Sequence, residues 1–170
     1  VAAGKPAICE KPLAPNMEQA KAHVELPRKY GVPIMIAENY RYSEEINIIR
    51  DLIRTGHVGR PVYFIQNRVV FFPGDMYQDK FPAKEWRQYP NFMGGAILDT
   101  GVHDIAALRH IFGGIDRLHA FGVPQNDHFS PYAVINANIL FHNGVTGNFS
   151  FYCSGKEMQR PLIGFRIFGS

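Results

Sequence analysis

The sequence predicts an α+β chain in two parts, and three observations carry that prediction. The first forty residues run apolar, helix-forming, apolar, which is the pattern of a strand–helix–strand unit. Two later segments, 44–55 and about 95–112, repeat apolar residues at three- and four-residue spacing. Beyond them come three or four β-rich runs near 117–123, 132–142, 145–153 and 162–168, with the hairpin dipeptide Asn143-Gly144 between two of them.

Each element has a local reason. Residues 6–10 (PAICE) are a short apolar run closed by Lys11-Pro12, and Asn16 then offers a helix cap with Gln19 three places on. Helix formers fill 16–30, where Pro27 should kink or shorten the helix and Gly31 should stop it. Residues 32–39 (VPIMIAEN) read as a buried strand. Glu10-Lys11 and Glu38-Asn39 would then lie at the carboxyl ends of two parallel strands, where ligands of open α/β sheets gather. Ser43 can cap the helix over 44–55, whose Ile46, Ile49, Leu52 and Ile53 should face a packing partner before Gly56. After the Gly56–Gly59 turn, PVYFIQNRVVFF reads as a long strand, and 73–95 as an irregular loop rich in Pro, Gly and aromatics, of a length that is usually functional.

Composition narrows the class. The 170 residues are 46% hydrophobic and 19% charged, which excludes a disordered chain or a coiled coil. A net charge of +3 with scattered basic residues gives no case for nucleic acid. Neither a membrane span nor a signal peptide is visible, so the chain reads as soluble and cytoplasmic. Cys9 and Cys153 form no CxxC and read as buried thiols. From His128 to Gly155 there is no Lys, Arg, Asp or Glu, so this mostly β stretch should have both faces covered, by more of the chain or by a partner subunit. No internal repeat or linker is visible.

The chemistry concentrates in residues 94–114, GGAILDTGVHDIAALRHIFGG. On a helix, Asp99, His103, Ala106 and His110 share one stripe, with Ile97, Leu98, Gly101, Ile105, Leu108 and Phe112 opposite. Asp99 and His103, at i and i+4, are close enough to act as a carboxylate–imidazole pair. A solvated helix face is the alternative, but this stripe lacks the Lys and Glu of an exposed helix, and Gly94-Gly95 permits close approach of a ligand or backbone. A metal site ranks below proton transfer, because the other histidines form no ligand motif. Lys11, at a strand end, could polarise a substrate oxygen, with an ordinary polar turn as the alternative. Trp86 and Arg87 suit a polyol or carboxylate and equally suit a surface stack.

Three segments in order, GKPAICEKPLA, ENYRYSEEINIIRDLIRTGHVGRP and GGAILDTGVHD, resemble the glucose–fructose oxidoreductase and inositol dehydrogenase family (Gfo/Idh/MocA) across essentially the whole chain. The resemblance implies that residues 1–40 are the end of a dinucleotide-binding Rossmann domain. It implies that 41–170 are most of a substrate-binding catalytic domain, with a mainly antiparallel open sheet and helices on one face. It makes Lys11, Asp99 and His103 the catalytic set. His103 would take a hydroxyl proton as hydride leaves, Asp99 would orient the histidine or a substrate hydroxyl, and Lys11 would stabilise charge developing on oxygen. Glu10, Lys11, Pro12, Asn39 and Arg41 become the expected cofactor contacts, with Pro12 a candidate for a cis bond. Trp86, Arg87, Asp99 and His103 become the expected substrate contacts.

The implied activity is transfer of hydride between NAD or NADP and a hydroxyl of a sugar, polyol or inositol-like compound, by a dimer or tetramer joined through the open sheet. Two alternatives are an NAD-dependent glycoside hydrolase of the same family and a non-catalytic ligand sensor or assembly partner. The family's opening strand, glycine-rich turn and helix have no counterpart here, and the sequence carries no GxGxxG. The chain is therefore expected to be a fragment, lacking most of the nucleotide domain and the last strands of the sheet, which alone neither binds NAD(P) tightly nor turns over.

Overall fold

Alternating side chains on five long strands and one apolar-striped helix decide this architecture, because each has a single face to bury. The computed structural model describes residues 1–71, 87, 93–127, 130–153 and 163–170. Strands β1 (Ala7–Glu10) and β2 (Ile34–Ala37) pair in parallel as a sheet of their own. Between them lie two short helices, α1 (Met17–Val24) and α2 (Leu26–Tyr30). The helical stretch over 16–30 is thus interrupted, as expected of Pro27, which has no N–H to give the carbonyl four residues back. Asn16 caps α1, its side chain accepting from Gln19 N at 2.9 Å, and Gly31 ends α2 in the left-handed region at φ 65°.

The strand at 34–37 is not buried as predicted. Met35 is 47% exposed and Ile8 on β1 is 76% exposed, since among the described residues nothing packs on the outward side of this pair. Cys9 is only half-buried, whereas Cys153 is fully buried, which corrects the expectation for the first thiol.

A 3-10 turn (Asn39–Tyr42) leads from β2 into α3 (Glu44–Arg54), which Ser43 caps. Ile53 packs against the core, but Leu52, expected on that same face, is 41% exposed. Then follow β3 (Pro61–Val69), α4 (Gly95–Phe112), β4 (Ile115–Asp127), β5 (Ser130–Phe141), β6 (Thr146–Tyr152) and β7 (Ile163–Gly169). The sheet order is β4-β5-β6-β3-β7, antiparallel except where β3 meets β6. The Asn143-Gly144 turn joins β5 to β6, with Gly144 at φ 85° and its N–H bonded to Phe141 O at 2.9 Å.

Helix α4 covers one face of this sheet. Phe64, Leu108, Phe112, Ile139, Phe141 and Phe151 interlock there, most with no more than 1% exposure. Burying each such side chain is worth about 1.5–3 kcal/mol, which locks the helix onto the strands. On the opposite face the Tyr63 hydroxyl bonds Asn148, Asn148 bonds Asn138, and Tyr152, Phe168 and Arg166 stand exposed. The expected cover of the outer face, by more of the chain or by a partner subunit, is not among the described residues, whose helices lie on one side. No helix among the described residues is long and apolar enough to cross a membrane.

Candidate active site

Strand β3 turns its inward positions from apolar to polar along its length: Phe64 lies in the core, and Gln66 and Arg68 follow on the same face. Both meet Asp104 of α4. Arg68 Nε lies 2.7 Å from Asp104 Oδ2, Arg68 Nη2 donates to Oδ1 at 3.0 Å, and Gln66 donates to Oδ1 at 2.7 Å. Burial opposes the Arg68 charge, yet the charge and hydrogen bonds of Asp104 prevail and hold the guanidinium above its ordinary pKa. Burial likewise pushes the Asp104 carboxyl upward, against the pull of Arg68. This cluster underlies Tyr40 of the 3-10 turn, whose ring centroid is 5.5 Å from the Arg68 guanidinium.

Above it lies His103. Its ring stacks on Tyr40 with centroids 4.3 Å apart and planes 18° from parallel. Its Nδ1 is 2.7 Å from Glu38 Oε1, and that oxygen also accepts from Tyr40 N at 2.9 Å. Glu38 stands where β2 ends, so a strand terminus and a helix are joined through one carboxylate.

Asp99, one turn earlier on α4, is 4% exposed and faces two cations. Lys11 Nζ donates to Asp99 Oδ1 and to the Asp99 main-chain carbonyl, each at 2.7 Å, and Arg87 Nε donates to Oδ2 at 2.9 Å. The expected Asp99–His103 pairing is therefore absent. Two opposite charges attract the aspartate more strongly than one imidazole would, and Glu38 has already taken Nδ1. The Lys11–Pro12 bond is cis, as anticipated.

These groups line a cavity of about 660 Å³ walled by Glu10, Lys11, Glu38, Asn39, Asp99 and His103, among others. It opens at the carboxyl ends of β1 and β2. Arg87 also lines it. Arg41, expected with the cofactor contacts, lines instead an adjoining cavity of about 490 Å³ with Arg109 and His110. His110, predicted on the same stripe as His103, meets Arg50 of α3, with Arg50 Nη1 2.7 Å from its Nε2. Trp86 lies outside the described residues. The apolar stripe behaves as expected, with Ile97, Leu108 and Phe112 in the core.

The sequence reading missed Glu38 as the partner of His103, and Tyr40, Arg68, Gln66 and Asp104 as its support. One signal was available: an arginine at an inward-facing position of β3 requires a buried counter-charge.

Comparison with known proteins identifies the family. The family model of the GFO/IDH/MocA C-terminal domain matches residues 46–170. A 1,5-anhydro-D-fructose reductase from Ensifer adhaerens is 29% identical over 174 residues, covering 100% of this chain and 49% of the reductase. The crystal structure of an oxidoreductase from Thermotoga maritima superposes with a TM-score of 0.82 at 30% identity, over 96% of this chain and 48% of that one. A levoglucosan dehydrogenase solved in complex with NADH and L-sorbose gives a TM-score of 0.79 at 25% identity, over 99% of this chain and 46% of that one. The chain thus spans about half the length of the proteins it matches. With a family match over residues 46–170 and a fold shared with these oxidoreductases, the chain belongs to the Gfo/Idh/MocA family.

Proposed function

We propose that this chain carries the catalytic site of a nicotinamide-dependent oxidoreductase acting on a hydroxyl of a neutral sugar, polyol or inositol-like compound. The observation that carries the reading is the meeting of Lys11 and His103 in one cavity at the ends of two parallel strands. Residues 1–40 would close the dinucleotide domain and 41–170 form the substrate domain. The separate parallel sheet of β1 and β2 and the family match from residue 46 support that division.

The residues present fit the nicotinamide end of NAD or NADP, which Glu10, Lys11, Pro12 and Asn39 would border. The cavity has room for a ring and a small substrate, while the sequence supplies no glycine-rich turn for the pyrophosphate. When bound, that cofactor takes up or returns the hydride of the carbinol carbon. The chain's own groups handle the proton and the oxygen. His103 Nε2 has no hydrogen-bond partner among the described residues and receives the hydroxyl proton. Lys11 spends two N–H donors on Asp99 and has a third for the substrate oxygen, stabilising its developing negative charge. Asp99, gripped from both sides, fixes Lys11 in place.

Charge supports a neutral substrate. Among the described lining residues Glu10, Glu38 and Asp99 outnumber Lys11 and Arg87, and both cations are engaged by Asp99. A substrate carboxylate or phosphate would meet net negative charge. The outer sheet face, open to solvent with Tyr152 and Phe168 exposed, supports a dimer or tetramer joined through it, for which light scattering on the full-length protein should give a multiple of the chain mass.

The test is on the full-length protein: NAD(P)H formation followed by absorbance with a panel of neutral polyols, sugars and sugar acids, for wild type, Lys11→Ala and His103→Ala. Loss of about 100-fold or more in kcat/KM in both variants, with neutral compounds preferred, is expected. Cofactor binding without turnover of any compound would overturn the reading and favour a sensor. Release of a glycosidic leaving group without NADH accumulation would favour a hydrolase.

A further inference from the structure

The contact of the Glu38 carboxylate with the rear nitrogen of His103 has no part in the proton and oxygen steps proposed above. An imidazole offers two nitrogens, and only the one carrying a lone pair can take a proton from substrate. We propose that Glu38 is a positioning residue that holds His103 in the tautomer protonated at Nδ1, so that Nε2 is the proton-accepting atom facing the cavity.

This deepens the dehydrogenase reading and rests on it for its kinetic consequences. Three features argue for it. Glu38 Oε1 lies 2.7 Å from His103 Nδ1, and an ionised carboxylate can only accept, so the proton belongs on Nδ1. The same oxygen is held by Tyr40 N at 2.9 Å, which fixes the carboxylate before the imidazole meets it. The Tyr40 ring stacks on the imidazole at 4.3 Å, which restrains its plane and so aims Nε2.

Glu38 Oε2 adds to the argument, being buried with no hydrogen-bond partner among the described residues. An unsolvated carboxylate oxygen is costly, so Glu38 is not placed merely to satisfy its own charge. A structural role alone would be met more cheaply by an amide or an apolar side chain. The carboxylate also supplies a counter-charge once His103 takes up a proton, the service an acid–imidazole pair performs in hydrolytic triads. Because Glu38 directly follows β2 and His103 lies on α4, the tautomer is set only when the strand pair and the catalytic helix are docked.

Two variants separate the parts of this role. Glu38→Met has similar length and no acceptor; Glu38→Gln retains an oxygen for Nδ1–H and for Tyr40 N–H without the charge. In the full-length protein, ¹⁵N NMR of the histidine ring should show His103 protonated at Nδ1 in wild type and in Glu38→Gln, and shifted toward Nε2 protonation in Glu38→Met. In kinetics, Glu38→Met should lower kcat by about 100-fold or more while KM changes less than about threefold, with Glu38→Gln between it and wild type. Adding Glu38→Met to His103→Ala should cost nothing further, since the effect passes through His103. A wild-type His103 protonated at Nε2, or a double variant much slower than His103→Ala, would overturn the proposal. If the wild type turns over no substrate, the dehydrogenase reading fails, and the NMR measurement still decides what Glu38 does.

Discussion

Replacing Asp104 with leucine isolates the buried charge on which the site stands. Arg68 and Asp104 side chains are 6% and 2% exposed and meet through two contacts of 2.7 and 3.0 Å, so their charges are almost wholly withdrawn from water. Removing one member of such a pair costs about 3–5 kcal/mol, because the other charge stays buried without a partner. Gln66 loses its acceptor as well, which costs about 1–3 kcal/mol. Even the smaller figure is a large share of the roughly 5–15 kcal/mol that holds a typical domain together. The double variant Arg68→Met/Asp104→Leu removes both charges and retains only the Gln66 penalty, so it should be about 1–3 kcal/mol less stable than wild type and more stable than Asp104→Leu. Urea denaturation of the full-length chain, followed by circular dichroism, measures all three proteins. Because Arg68 underlies Tyr40 and Tyr40 underlies His103, kcat should fall in Asp104→Leu by more than any change in KM. A loss of less than about 1 kcal/mol in Asp104→Leu, or a double variant no more stable than it, would refute this account of the pair.

Two further expectations concern other parts of the fold. Burial, then the charges of Arg50 and Arg41, hold the His110 pKa below its ordinary 6.5, with Asp51 pulling the other way. The unfolded chain therefore binds the proton first as pH falls, so stability should decline as pH drops below about 6.5, and His110→Asn should flatten that decline in a plot of melting temperature against pH. Unaltered slope in the variant would show that another group governs it. Gly147 on β6 lies against Phe64, and a β-carbon there would overlap the Phe64 carbonyl and ring. Gly147→Ala should cost about 2–3 kcal/mol through displacement of β3, read by calorimetry, and an unchanged melting temperature would contradict the packing.

Much of the architecture was legible because local rules govern it. Asn16, Gly31, Ser43 and Asn143-Gly144 act within three or four residues of themselves, so the caps and the hairpin could be placed from neighbours alone. The helix over Gly95–Phe112 matched its predicted span for the same reason. The apolar stripe of that helix identified its core-facing side, and motif order identified Lys11, Asp99 and His103 as members of one site.

The partners within that site were another matter. A helical wheel puts Asp99 beside His103, but it knows nothing of Lys11, 88 residues away, or of Glu38, 65 residues away, each of which offers a better match in charge. Likewise the uncharged run from His128 to Gly155 implied a covered sheet without saying what covers each face, and among the described residues helix α4 covers one of them. The sequence by itself determined which segments become strands and helices and which residue types could perform proton transfer, because those properties depend on spacing along the chain. Only the tertiary structure decided that β3 slips between β6 and β7, that Asp104 answers Arg68, and that His103 answers to Glu38. Those pairings arise where separate elements dock, and docking is fixed by shape and charge in space, which one-dimensional spacing does not encode.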